Sequence, residues 1–373
     1  MQQPARKSHV VRFCGNQLVE SLEARQMMAA HIVGSPAAYA TIQAAVNAAA
    51  PNATIKVDPG TYHESVTINK TLTVQGAPFL QSVVDGAIVA GGAHTTSFTI
   101  AANDVKLDGF TIQNNTATGA GTGIVIAPGV SGAHVQNNLV QHNVTGLYLA
   151  NANPADPAVI RNNVFAYNNN PGNNNGRGIY SDGGVSGGLL TNVLIDQNAF
   201  VGNVGDGTSL NPEAAIGLEA AGAGKQFNIT ITDNLMSGNG KGVLMFNLTG
   251  ATIAGNLITG CTDTLSAAIR DEGNVTNLAI TGNTLLFNKG AGIMIDQKFA
   301  PAPSSNITIN YNNFYGNAKG ALVVAAGGYT GTLDARYNWW GSFFGPDGTG
   351  EDALITNGTA VTSSPFSRFP ILI

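Results

Sequence analysis

The sequence predicts an all-β chain wound as a single right-handed parallel β-helix, a three-sheet solenoid of about ten coils with a short N-terminal capping helix. Three observations predict it. An asparagine recurs along the chain as Asn138, Asn163, Asn198, Asn234, Asn256, Asn283, Asn312 and Asn338, at spacings of 25, 35, 36, 22, 27, 29 and 26 residues. Apolar residues keep fixed offsets from that anchor. A third apolar stretch, often led by glycine, closes each repeat.

Composition bounds the problem. Charged residues are 10 % of the 373, glycines number 47, hydrophobic residues are 43 % and the net charge is −5. So little charge with so much apolar side chain describes a folded chain kept in solution by amides and hydroxyls rather than a disordered one. The charge balance offers no basic footprint for nucleic acid. No apolar run is long enough to span a bilayer. Cys14 and Cys261 do not make a disulfide framework.

The first 35 residues read as a leader-like segment, with Arg6, Lys7, Arg12 and Arg25 and little Gly or Asn. Within it, Leu18 to Ala29 resembles a Leu-Glu-x-Arg-x-(Leu/Met) leader on surface proteins of some bacteria. A secreted, cell-surface or periplasmic protein is expected. Residues Tyr39 to Ala50 follow as a short amphipathic helix over the first coil.

The β-helix is expected over residues 36–345. Three before each anchor stand Val135, Ile160, Ile195, Ile231, Ile253, Ile280, Ile309 and Ala335; two after stand Val140, Phe165, Phe200, Met236, Ile258, Leu285, Phe314 and Trp340. Period-two apolar columns on either side of a polar corner read as strand, bend and strand. Five after the anchor a second asparagine recurs, with Cys261 in its place once. Stacking such coils lets inward asparagines bond one another as a ladder and satisfies their buried amides. Residues 346–373, with Phe366, Phe369 and Ile371, form a C-terminal cap that closes the far end together with Phe343 and Phe344.

Two segments carry a family resemblance. Thr41 to Val46, followed by Val57-Asp58-Pro59-Gly60-Thr61-Tyr62-His63-Glu64, resembles the opening coil of pectin methylesterases and of NosD-like bacterial β-helix proteins. Asn338-Trp339-Trp340-Gly341 with Gly345-Pro346 resembles a terminal-coil motif of bacterial surface β-helix proteins. With the repeat, these identify residues 36 to 345 as similar to the pectin-lyase-like superfamily. The resemblance implies the fold and places both segments as architecture. The catalytic elements of pectin methylesterases, polygalacturonases and pectate lyases are missing, so no activity carries over with it.

Candidate chemistry is read from the repeat itself. In the glycine-led strands the second residue after the glycine faces outward, giving a column Val125, Tyr148, Tyr180, Glu219, Leu244, Arg270, Met294 and Leu322. Two further along come Ala127, Ala150, Asp182, Ala221, Phe246, Glu272, Asp296 and Val324. Arg270 and Glu272 share one strand, and Asp296 stands about 5 Å from Glu272 on the next coil. Such a group suits acid–base chemistry on a glycosidic bond, with Arg270, Glu272 and Asp296 as catalytic residues. Glu272 and Asp296 are also the candidates to hold Ca²⁺. Lys298 lies beside them and is expected to bind substrate. Tyr148, Tyr180, Asp182 and Glu219 are expected to bind substrate, with the tyrosine rings stacking on sugars. Insertions at 169–175, 206–213 and 262–266 enter at one edge and would wall a groove. His63, His94, His134 and His142 have no metal-ligand spacing.

Three function classes follow. One is an exported carbohydrate-directed protein, either a polysaccharide lyase or a glycoside hydrolase, working as a monomer on a long glycan in a lateral groove. The second is a non-catalytic surface or adhesion module. The third is a NosD-like periplasmic assembly factor, which would need histidines gathered for copper.

Overall fold

A computed structural model describes residues 29–86, 95–117, 121–206, 213–221, 224–347, 351 and 353–372. The basic leader, His94 and residues 207–212 of one insertion therefore lie outside the described residues.

The described strands form three sheets of 15, 10 and 11 strands, and the chain visits them in turn once per coil. Nearly every neighbouring pair is parallel. The exception is the first strand, Ala30–Ile32, which runs antiparallel to Thr54–Val57 and to Ala38–Tyr39. The sheet thus begins inside the stretch expected as leader.

The apolar columns read from the sequence are the observed register. Val135 pairs with Ile160, Ile160 with Ile195, Ile195 with Ile231, and so on through Ile253, Ile280 and Ile309. The Val140 column runs likewise to Phe314, whose ring stacks on Trp340 at 5.2 Å. Identical environments one coil apart bury like against like, so the core is one continuous cluster along the axis.

The anchors form the predicted ladder. Each Nδ2 donates to the Oδ1 of the next asparagine, from Asn138 to Asn163 at 3.0 Å through to Asn312 and Asn338 at 3.1 Å. The same Oδ1 accepts the backbone N–H of the preceding anchor, as Asn256 Oδ1 does from Asn234 at 3.0 Å. The residue before several anchors is left-handed, Asn137, Asn162, Gln197 and Asp233 among them, which suits polar residues that tolerate αL at a tight bend. Phe110, standing where an anchor is expected, gives its N–H to Asn138 Oδ1 at 3.0 Å and so caps the ladder. The second ladder runs from Asn115 to Asn239 and from Asn288 to Asn317. Cys261 interrupts it, buried, with its thiol pushed up to about 12 by burial.

The helix is Ile42–Ala48, shorter than the 39–50 span. The Thr41 hydroxyl caps it through Ala44 N. The Glu64 carboxylate accepts from the N–H groups of Ile42 and Gln43 at 2.8 and 3.0 Å, which ties the two resemblance segments together. Ile42, Ala45 and Val46 are buried over the first coil. At the far end Trp340 is buried and Phe366 packs on the core, but Phe344 and Phe369 remain 86 % and 67 % exposed. These two do not contribute to closure.

Breaking a rung tests the ladder. The Asn234 side chain accepts from Asn198 and donates to Ile195 O, Thr232 O and Asn256. Asn234→Ala leaves buried donors and acceptors unpaired and is expected to cost about 3 kcal/mol or more. The check is a fall in the urea midpoint at unchanged slope, with a surface control such as Thr230→Ala near zero.

Candidate functional site

The outer face of the eleven-stranded sheet gathers the charged candidates, but in a corrected register. Tyr148 pairs with Tyr180, Tyr180 with Gly217, Gly217 with Leu244, Leu244 with Arg270, and Arg270 with Met294. Glu219 therefore pairs with Asp182 and Phe246, in the second column rather than the first. Leu322 pairs with core Ile293 and is buried, and Val323 takes the outward place beside Met294. The slip arises because Gly217 is not the leading glycine of its strand. Gly217 faces outward, where an added Cβ would lie 2.8 Å from Glu219 Oε1 and 3.4 Å from Arg177 Nε. Its missing side chain makes room for an ion pair.

That pair is the first of a line of buried charge along the face. Arg177, 1 % exposed, reaches Glu219 Oε1 at 3.2 Å from Nε and 3.1 Å from Nη2. Burial raises the Glu219 carboxyl above its ordinary value, while Arg177 and Lys241 pull it down. Lys241 pairs with Asp263 at 2.7 Å. Burial raises Asp263, but Lys241 hydrogen bonding and charge outweigh it, so its carboxyl lies below the usual range. Arg177 and Lys241 open their strands one residue before the leading glycines Gly178 and Gly242, at odd offset from the two outward columns, so a period-two reading does not include them.

Arg270 holds the next group together. Its Nε lies 3.0 Å from Glu272 Oε1 and its Nη2 2.5 Å from Asp296 Oδ2, while Nη1 donates to Leu265 O at 3.1 Å. Lys298 Nζ stands 3.9 Å from Glu272 Oε1 and is 56 % exposed at its side chain. The structure thus brings Arg270, Glu272, Asp296 and Lys298 together as expected. Glu272 is fully buried, and neither of its oxygens accepts an aligned hydrogen bond. Its cover is the 296–300 turn: Phe299 and Ala300 donate their N–H groups to Glu272 O, and the Phe299 ring stacks on Phe246 at 5.7 Å.

The substrate-binding candidates are partly occupied. Tyr180 is buried, donates to Asp182 Oδ2 at 2.8 Å and lies under the Arg177 guanidinium at 4.6 Å. Asp182 Oδ1 accepts from Val185 N at 2.7 Å, closing the turn that follows. Tyr148 is half-buried and its hydroxyl accepts from Asn174 Nδ2 at 3.2 Å. The insertions at 169–175 and 262–266 enter at one edge, but Asn174, Asp263 and Leu265 reach back over the face to bond the Thr145 and Tyr148 hydroxyls, Lys241 and Arg270 instead of standing clear as a wall.

The carboxylates proposed for Ca²⁺ are bridged by Arg270, which fills the place a cation would take. Among the described residues no group of three His, Cys, Asp or Glu side chains is arranged to hold a metal. The arrangement does not fit a calcium site, and no chemistry is routed through one. What it offers is a pair of carboxyls in unlike surroundings, the condition under which one acts as acid and the other as base.

Comparison with known proteins follows the same line. A family model for the right-handed β-helix region matches residues 211–335. The chain has a right-handed parallel β-helix fold. Among solved structures it is similar to the A-module of the Azotobacter vinelandii mannuronan C-5 epimerase AlgE6, with TM-score 0.54, 16 % identity, and coverage of 87 % of this chain and 93 % of that one. It is also similar to AlyGC, an alginate lyase of the PL6 family, with TM-score 0.53, 15 % identity, and coverage of 86 % and 49 %. No curated protein sequence matches it.

The buried carboxyls make stability depend on pH. Burial lifts Glu272 from 4.5 to about 7 against the lowering effect of Arg270 and Lys298, and lifts neighbouring Asp271 from 3.8 to about 7. Below the unfolded values both states are protonated. Between those values and about 7 the unfolded chain has released its protons while the folded chain keeps them. These groups therefore contribute stability at low pH that is lost as pH rises through about 7. Urea melts at pH 5 and pH 8 are expected to give the lower midpoint at pH 8, and Glu272→Gln should reduce that difference, leaving the share that Asp271 contributes. Equal midpoints for the wild type would mean that Glu272 holds no extra proton.

Proposed function

We propose that this chain is an exported, carbohydrate-directed protein that acts on a long polysaccharide laid across the outer face of the eleven-stranded sheet. The observation that carries this reading is the line of charge itself. Arg177–Glu219, Lys241–Asp263 and Arg270–Glu272–Asp296 occupy successive coils on one face, whereas a β-helix built for stability alone needs no buried ions there. Parallel β-helices lend themselves to extended polymers because every coil presents the same face at the strand spacing. The structural likeness to a mannuronan epimerase and an alginate lyase supports a glycan as partner.

The reaction assigned is cleavage of a glycosidic bond by the Arg270 group. Glu272, holding its proton near neutral pH, is the acid. Asp296, fixed by Arg270 and by Lys298 N at 3.0 Å, is the base or nucleophile. Lys298, the most exposed member, meets the substrate first. For Glu272 to reach a substrate, the Phe299 turn must lift.

A second reading, the non-catalytic glycan-binding module, is favoured by the full burial of Glu272 and the internal pairing of the charges. A polysaccharide panel separates the two by following new reducing ends and unsaturated products. Hydrolysis predicts new reducing ends without unsaturated products, lowered at least about 100-fold by Asp296→Asn or Glu272→Gln. Retained binding with no product on any polymer would retire the catalytic assignment.

A further inference from the structure

A second surface repeats a simpler pattern. On successive coils at the C-terminal end of the ten-stranded sheet, the chain sets out a line of aromatic rings, two of them followed by a cation on the same turn. Phe287, 60 % exposed, is followed two residues later by exposed Lys289. Tyr315, 45 % exposed, is followed by exposed Lys319 on the same turn. Trp339, half-buried, continues the line of rings and bridges to Ser367, whose neighbour Arg368 lies over the Phe343 ring at 4.8 Å.

The rings are continuous. Phe287 and Tyr315 meet edge to face with centroids 5.4 Å apart, and Tyr315 and Trp339 stack at 5.9 Å and 14°. Phe287 lies against Gly316 of the next coil, where a Cβ would come within 2.6 Å of the ring. Glycine at that corner lets the ring lie along the axis with its far side in solvent. Among the described residues neither Lys289 nor Lys319 joins an ion pair, although acidic groups outnumber basic ones in the chain.

We propose that this face is a second, non-catalytic binding surface for an anionic polysaccharide, one whose sugar units carry carboxylates. The coil repeat of about 4.8 Å is close to the length of a glycosyl unit, so consecutive sugars would meet consecutive ring–cation sets. The aromatic faces take the apolar side of the sugar ring. The unpaired cations take the carboxylates, and in doing so supply the selectivity that rings alone lack. A neutral chain would gain the stacking but not the charge pairing. The inference rests on a glycan being the partner, but its site lies on a different sheet from Arg270, Glu272 and Asp296, so the two can fail separately.

The test is affinity electrophoresis of the full chain in gels containing polygalacturonate, alginate or dextran. Retardation is expected in the two acidic polymers, weakening with added salt, and not in dextran. The double variant Lys289→Glu/Lys319→Glu and the single variant Tyr315→Ala should each weaken retardation about tenfold or more. All the substituted lysines are exposed, and urea midpoints equal to wild type verify folding. Equal retardation in dextran, retardation untouched by the lysine reversals, loss through Asp296→Asn instead, or no retardation at all would each overturn the proposal. Binding through Lys289 and Lys319 without any cleavage would support it while retiring the catalytic reading.

Discussion

The fold depends on a buried amide being answered by the coil beside it. An asparagine turned into the core at a bend carries two donors and an acceptor that water cannot reach. Here the next asparagine, the backbone N–H of the previous anchor and carbonyls one coil away satisfy them. That requirement fixes the axial step and the register of the corner. It also keeps the flanking columns of isoleucine and phenylalanine in line, since a one-residue slip would strand the amide and turn the apolar side chains outward.

With the corners fixed, differences between coils collect where the ladder does not constrain them, on the outer faces and in the connections. The outer face of the eleven-stranded sheet uses that freedom to bury ions. Removing a side chain at Gly217 admits Arg177 and Glu219, and the insertions at 169–175 and 262–266 bend back to satisfy the neighbouring groups. The paired charges of this face are largely buried, and the Arg270 group reaches solvent chiefly through Lys298 and Phe299.

Much of this was legible in the chain itself. Columns at fixed offsets from Asn138 to Asn338 predicted the paired residues one by one, because a repeat that stacks on itself turns sequence spacing into spatial contact. The Arg270, Glu272, Asp296 and Lys298 group was legible for the same reason. What escaped was of two kinds. The coil at 213–219 contains Ala215 where its neighbours have glycine, so the reading took Gly217 as the leading residue and moved Glu219 by one pair. Burial was the other: spacing tells which way a side chain points, not whether a loop folds over it. Tyr180, Asp182 and Glu272 face outward as read, yet they are covered by contacts from turns whose conformation has no periodicity to reveal it.

The ladder also has a sense. From asparagine to asparagine every amide hands a hydrogen toward the C-terminal end, so the first rung presents oxygen, taken by Phe110 N–H, and the last, with no further rung, gives its hydrogens to the Ile309 and Ala335 carbonyls. Interior rungs, by contrast, are chemically interchangeable, each giving and receiving in the same way. Whole coils could therefore be gained or lost between Asn138 and Asn338 without rebuilding either terminus. Chain length in this architecture is a quantity evolution can adjust in units of one turn, and the reach along a polymer can be lengthened or shortened while the ends stay as they are.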